Sequence, residues 1–286
     1  MYRGILDTRV GCQNFCGETW YISRMNEFSK ELDVAKKIAR QAGKVMLKYF
    51  SDDVIVGRKH DDSPVTHADI EINRLVIEEL EKQFNDGIVG EEESTAEYGM
   101  GRRWICDPID GTRAFTWGLP TAMFSLGLAI DGIPTVGVAY DPFLDLLYEA
   151  TRDGDSLCNG KRIHVSSVGI AGASIAVSGS PEKLLTNSSQ ATLLARLVEK
   201  KVRVVGFSGS VYRACLVARG RLAGYVEKNI NTHDLAAVEV ILKKAGGMIT
   251  DFEGAQLDYS KAFKGAVISN SVVHADLLEC VDGLEW

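Results

Sequence analysis

Two carboxylates three residues apart, Asp107 and Asp110, close the stretch Trp104–Thr112, W-I-C-D-P-I-D-G-T. Residues suited to a strand run directly into them. A strand end is rigid, so both carboxylates can converge on one cation, and the Gly111-Thr112 step exposes backbone N–H groups. Hard divalent cations take several oxygen ligands, and Mg²⁺ is usually held by one or two carboxylates plus substrate phosphate. An isolated D-P-x-D-G is more often a turn with solvated acids. The other acids of the chain decide between the two readings.

Ile88-Val89-Gly90 reads as a short strand that delivers Glu91, Glu92 and Glu93. Successive side chains on extended backbone point to opposite sides, so at most one or two of the three can face a common centre. Thr66 and Asp69 form a T-x-x-D capping pattern at a helix start, where a first-turn carboxylate can also point out of the helix mouth. Glu227 ends the strand-like LAGYVE, and Asp234 opens the helix HDLAAVEVILKKAGG, where the helix dipole favours an anion. Capping alone accounts for Asp69 and Asp234, and three adjacent acids are commonly a solvated loop. Arg213, in S-V-Y-R-A, reads as an ordinary exposed helical arginine, the alternative being a contact with a second anionic group.

These residues need elements to hold them. Phe28, Leu32, Ala35, Ala39, Ala42, Met46 and Tyr49 fall on one face of a helix over Glu27–Phe50, and Ile72, Leu75, Val76, Leu80 and Phe84 mark a second helix. Phe124–Ile130, Thr135–Tyr140 and Leu146–Ala150 read as strands of an antiparallel meander, with turn chemistry at Asp131-Gly132 and Asp141-Pro142. Asn159-Gly160 supplies another tight turn, and Ile163 and Val165 alternate as a strand would. Beyond Ile170, strands at 174–178, 202–206, 222–227, 247–251 and 265–269 alternate with helices at 188–200, 209–219, 234–245 and 271–281, which indicates an α/β half. The expected organisation is an N-terminal extension over 1–24, an α+β domain over 25–168 carrying the carboxylates, and an α/β domain over 169–286.

Composition narrows the partners. A net charge of −7 leaves no basic excess for nucleic acid or an anionic membrane, but a small phosphorylated substrate remains compatible, because bound cations invert the local field. No apolar run approaches the roughly 20 residues that span a bilayer. The six cysteines are scattered and complete no zinc site, which favours a reducing, cytoplasmic compartment. Targeting by residues 1–24 is left open, although they lack the apolar core of a secretory signal.

Taken together, G-E-E at Gly90–Glu92, the W-I-C-D-P-I-D-G-T stretch, S-P-V-T-x-A-D at Ser63–Asp69 and H-D-L-A-A-V-E-V-I-L-K-K-A-G-G at His233–Gly247 resemble the inositol monophosphatase family of magnesium-dependent, lithium-sensitive phosphatases. The resemblance spans about residues 27–285. It departs at His233, where the family usually carries Trp. It implies an alternating α-β-α-β-α sandwich of the sugar-phosphatase type, two or three Mg²⁺ ions and a homodimer. It further implies that Glu91, Asp107 and the Ile109 carbonyl hold a first cation. Asp107, Asp110 and Asp234 hold a second, and Glu91 with water helps hold a third. Gly111 and Thr112 would present N–H groups to phosphate. Asp69 would hydrogen-bond Thr112 and, with Glu91, orient the attacking water. Glu227 would contact a substrate hydroxyl, with Asp110 and Asp234 also lining the substrate. Lys59 is expected near the phosphate.

The chemistry is consistent without the family. Phosphate monoester hydrolysis is extremely slow uncatalysed, so a catalyst must supply charge neutralisation and in-line placement. Metal ions can activate water and neutralise the leaving oxygen, so no enzyme nucleophile is required, and loss of Asp110 is expected to hurt catalysis more than folding. Inositol 1-phosphate is the leading substrate, with histidinol phosphate, fructose 1,6-bisphosphate and 3′-phosphoadenosine 5′-phosphate as alternatives. Two readings from other classes compete: a serine hydrolase using the incomplete elbow Gly206-Phe-Ser208-Gly-Ser210, and a non-catalytic binding or scaffold protein.

Overall fold

The computed structural model describes residues 27–50, 55–58, 64–177, 188–263 and 265–285. The proposed extension over 1–24, Lys59 and Ser63 lie outside them. Among the described residues no helix is long and apolar enough to cross a membrane.

Helices α1 (Ser29–Tyr49) and α2 (His67–Glu81) form one outer layer. In α1, Ala35, Ile38, Ala39, Ala42 and Met46 repeat at helical spacing and are fully buried. Thr66 caps α2: its hydroxyl accepts from Asp69 N while the Asp69 carboxylate takes Thr66 N–H, an arrangement that stabilises a helix by about 1 kcal/mol. A short antiparallel pair, β1 (Ile55–Arg58) and β2 (Pro64–Thr66), leads into α2.

Beneath the helices lies a seven-stranded sheet ordered β3-β4-β5-β6-β7-β8-β9, made of Gly87–Gly90, Arg102–Asp110, Met123–Ile130, Ile133–Asp141, Leu146–Thr151, Leu157–Cys158 and Lys161–Arg162. The meander β5-β6-β7 is antiparallel, as the turn residues indicate, whereas β3 runs parallel to β4. The strand read at Ile163 and Val165 is a correction. Pairing ends just past Arg162: the Ile163 N–H still reaches across the hairpin to Ser156 O, but the Val165 N–H is spent on Ala245 O, beyond the sheet.

The second sheet, ordered β11-β10-β12-β14-β13, combines Arg203–Val205, Ser174–Val177, Gly224–Lys228, Gly265–Ser269 and Met248–Thr250 in mixed orientation. Helices α4 (Ser188–Glu199) and α7 (His274–Val281) cover its outer face through Leu193, Leu197 and Leu277. Between the sheets lie α5 (Ser210–Ala218) and α6 (Thr232–Lys244), whose Val211, Ala214, Leu235 and Ala236 share one core with Ile105 and Ala139 of the first sheet and Tyr225 and Ile268 of the second. The order of layers is therefore α-β-α-β-α.

How closely α6 sits on the first sheet is set by two glycines. A Cβ at Gly127 would stand 2.8 Å from Ala237 N, and one at Gly137 would stand 2.1 Å from Ala237 O. Helix backbone rests directly on strand backbone there, which brings the first turn of α6 down to the sheet.

Candidate active site

Strand β4 is buried from Trp104 to Asp110, with helices on both faces. Trp104 and Cys106 face the α1/α2 core and Ile105 faces the α5/α6 core, as strict alternation requires. Asp107 continues the Ile105 side. Alternation would then send Asp110, three residues on, to the opposite face. Register prevents this: Asp107 pairs with Ser125 but Asp110 pairs with Met123, so three steps on β4 match two on β5. The extra residue is a β-bulge, the kind of position that tolerates the missing N–H of Pro108. Ile109 returns to the α1/α2 core, and Asp110 falls on the same side as Asp107. The bulge makes the pair.

Glu91 arrives by similar logic. In β3, Ile88 belongs to the α1/α2 core and Val89 to the α5/α6 core, so Glu91 shares the Val89 side. Gly90 pairs with Cys106 in parallel register, and Glu91 N–H donates to Cys106 O at 3.1 Å, setting Glu91 beside Asp107 at the carboxyl ends of neighbouring strands.

The fourth acid descends from α6. That helix begins at Thr232, so Asp234 lies within its first turn, where its carboxylate accepts Asn231 N–H at 2.6 Å. Asp69 uses its first-turn position in the same way. Capping is compatible with a second task, since a carboxylate has two oxygens and about four lone-pair sites. Single ligand atoms of Asp107, Asp110 and Asp234 lie within 4.8 Å of one another, and so do those of Glu91, Asp107 and His233.

Crowding these acids has an electrostatic cost. Burial, then the Asp234 charge, pushes the Asp110 carboxyl up to about 8, against the Ser210 N–H and Arg213. Burial likewise lifts Asp234 to about 8, with Glu227 and Glu91 adding to it. Neighbouring carboxylates out of water cannot all ionise unless a cation joins them. An all-oxygen donor set of this size fits a hard divalent ion.

The remaining residues frame the cluster. Gly111 adopts φ 82°, the left-handed conformation that glycine takes without strain, and turns the chain from β4 into α3 (Thr112–Thr116). The Thr112 hydroxyl donates to Ile109 O at 2.9 Å. β2 packs against α3, so the strand that leads to Asp69 lies beside Thr112.

Asp110 also bridges to α5, accepting from Ser210 N and Val211 N at 2.8 and 2.9 Å. Glu227, at the end of β12, accepts from the Ser210 hydroxyl at 2.8 Å and from Arg213 Nη2 at 3.1 and 3.2 Å.

Arg213 is the second correction. It is 4% exposed, donates Nε to Gly209 O and lies over the Tyr225 ring. An isolated S-V-Y-R-A gives no sign of this. The available signal was spacing: Ser210 and Arg213 are i and i+3 at a helix start, on one face toward a strand-end acid. Likewise His233, read from sequence as a replacement for Trp, stands beside Glu91 with Nε2 3.7 Å from Oε1. The hydroxyl of Ser210, in the incomplete serine elbow, is given to Glu227.

Residues 28–283 match the model of the inositol monophosphatase family. A histidinol-phosphatase from Chlorobaculum parvum is 35% identical over 253 residues, covering 88% of this chain and 96% of the relative. A fructose-1,6-bisphosphatase/inositol-1-monophosphatase from Thermotoga maritima is 31% identical over 260 residues, covering 88% and 95%. Among solved structures, the inositol monophosphatase from Anabaena (Nostoc) superposes with a TM-score of 0.78 at 25% identity, covering 90% of this chain and 97% of that one. The chain belongs to the inositol monophosphatase family. It is a phosphatase of that family, a phosphoric monoester hydrolase.

Proposed function

We propose that this protein hydrolyses a small polyol phosphate, with inositol 1-phosphate as the leading substrate, in a magnesium-dependent reaction. The observation that carries the reading is the convergence of Asp107, Asp110 and Asp234 from a strand end and a helix start onto one point. Glu91, Asp107, Asp110, Asp234 and the Ile109 carbonyl would hold the ions. Bound Mg²⁺ supplies Lewis-acid neutralisation of charge on the phosphoryl oxygens and lowers the pKa of water. Gly111 and Thr112 would direct backbone N–H groups at the phosphate. Asp69 would position Thr112 and, with Glu91, orient the attacking water for in-line approach.

Glu227 supports a hydroxyl-bearing substrate. Its Oε2 takes Ser210 and Arg213, while its Oε1 takes Arg213 alone, so Oε1 keeps a lone pair for one further donor. Because the buried Arg213 guanidinium already balances the Glu227 charge, a neutral hydroxyl fits this position better than an ammonium does. Histidinol phosphate, which carries an amine, is the second reading, favoured by the 35% identity to a histidinol-phosphatase.

The same reading takes the protein to be a cytoplasmic homodimer without nucleic-acid partners. Its charge of −7 and the buried, unbridged Cys106, Cys158, Cys215 and Cys280 support the compartment and partners, while the dimer is taken from the family resemblance. Comparing kcat/KM for inositol 1-phosphate, histidinol phosphate, fructose 1,6-bisphosphate and 3′-phosphoadenosine 5′-phosphate with Mg²⁺ tests the substrate. Inositol 1-phosphate ranks first on this account; a preference for histidinol phosphate transfers the assignment to the second reading.

A further inference from the structure

His233 stands next to Asp234 in the first turn of α6, with its side chain largely buried and facing Glu91. Its ring nitrogen, one Glu91 oxygen and one Asp107 oxygen are mutually within 4.8 Å. The Nε2–Oε1 distance of 3.7 Å is too long for a hydrogen bond. It is close to what a shared ion requires: donors about 2.1 Å from one ion and subtending about 90–120° are roughly 3.0–3.6 Å apart. Asp107 also belongs to the all-carboxylate group with Asp110 and Asp234, so the two groups adjoin and share a ligand.

The groups differ in donor chemistry. Three carboxylates suit Mg²⁺, which prefers oxygen, whereas imidazole favours borderline transition ions, in the order Mn²⁺ < Co²⁺ < Cu²⁺ > Zn²⁺. An indole at this position has an N–H donor only and no lone pair to offer. A neutral imidazole with its ring proton on Nδ1 offers the Nε2 lone pair, and Nε2 is the nitrogen nearest Glu91 Oε1.

We propose that His233 ligates an outer divalent ion together with Glu91 and Asp107, so that this position selects a borderline transition ion over Mg²⁺ while the Asp107–Asp110–Asp234 position takes Mg²⁺. The proposal rests on reading the acid cluster as an ion site and adds a nitrogen ligand and a metal preference to it.

Mn²⁺ is the probe. The purified full-length protein is stripped with EDTA, given saturating Mg²⁺ and titrated with Mn²⁺, with free Mn²⁺ followed by electron paramagnetic resonance. Electron spin-echo modulation of the bound ion then reports any directly coordinated nitrogen. Wild type should retain one Mn²⁺ against excess Mg²⁺ and show imidazole nitrogen modulation. His233→Trp and His233→Gln should weaken that Mn²⁺ on the order of tenfold or more, abolish the modulation and leave Mg²⁺ affinity within about twofold. Bound Mn²⁺ without nitrogen modulation in wild type overturns the histidine ligand while leaving the acid site intact. Failure of both Mn²⁺ and Mg²⁺ to bind overturns the acid site itself, and this proposal with it. The wild-type spectrum needs no variant to fold.

Discussion

The Asp110 carboxylate accepts Val211 N–H at 2.9 Å, and its other oxygen takes Ser210 N–H at 2.8 Å, from residues about a hundred positions later in the chain. A side chain on the first sheet thereby caps the first turn of a helix packed between the two sheets. When a bound cation keeps Asp110 ionised it serves folding as well as catalysis, because hydrogen bonds to a charged acceptor contribute about 1.5–3 kcal/mol each.

Asp110→Asn should therefore lose both activity and stability. An amide keeps one acceptor oxygen and points N–H at the other backbone donor. Denaturant unfolding in saturating Mg²⁺, which keeps the wild-type carboxylate ionised, should show a loss of at least about 2 kcal/mol, alongside a fall in kcat of at least about 100-fold, as expected where a group stabilises charge in the transition state. An Asn variant with wild-type stability would remove Asp110 from the structural role.

Stability in EDTA should fall as pH rises. Asp110 and Asp234 are pushed up to about 8 in the folded chain, against about 3.9 for an unfolded Asp. Between those values the folded state binds more protons than the unfolded one, so raising the pH favours unfolding. The penalty is absent below about pH 4 and complete above about pH 8. Thermal melts at pH 5.5 and 8.5 should differ in favour of the lower pH, and saturating Mg²⁺, which binds the deprotonated acids, should narrow the gap. Melting temperatures that climb with pH in EDTA across this window would contradict the shifts.

Arg213→Met should be harsh. It leaves Glu227 buried with only the Ser210 hydroxyl, and removing one partner of a buried ion pair costs about 3–5 kcal/mol. Arg213→Lys is the milder probe: one ammonium cannot reproduce the guanidinium fork. KM for a polyol phosphate should rise in Arg213→Lys, while inhibition by inorganic phosphate stays close to wild type. Equal weakening of both would place the effect on the phosphate side of the site.

Gly137→Ala tests how α6 delivers its acid. The added Cβ would overlap Ala237 O, so the helix must lift. Overpacking of this kind costs about 1–3 kcal/mol, and Asp234 should retreat from Asp107. Calorimetric Mg²⁺ affinity should drop in parallel with thermal stability. An unchanged affinity would mean that the first turn of α6 is held by other contacts.

Much of this was legible in the sequence because local chemistry and the final fold agree. Periodicity marks α1 and α2, turn residues mark the meander, and Thr66 and Asp69 sit as a cap should. The acids Asp107, Asp110, Glu91 and Asp234 were visible as candidates, yet alternation alone would have separated Asp107 from Asp110. The bulge that reunites them is a property of the β4–β5 register and leaves only Pro108 as a trace. Arg213 escaped because its burial depends on β12 and Tyr225, which no helical pattern encodes. The short edge strand stops at Arg162, short of Ile163 and Val165, because Val165 gives its N–H to Ala245 O outside the sheet, a contact that no local alternation encodes.

The most direct measurement is phosphate release from inositol 1-phosphate by EDTA-stripped protein before and after Mg²⁺ is restored, with Asp234→Asn in parallel. Turnover should be negligible without the ion, recover when it is added to wild type, and fail to recover in the variant. Undiminished turnover by the stripped protein, or full Mg²⁺ rescue of Asp234→Asn, would contradict the proposed ion site.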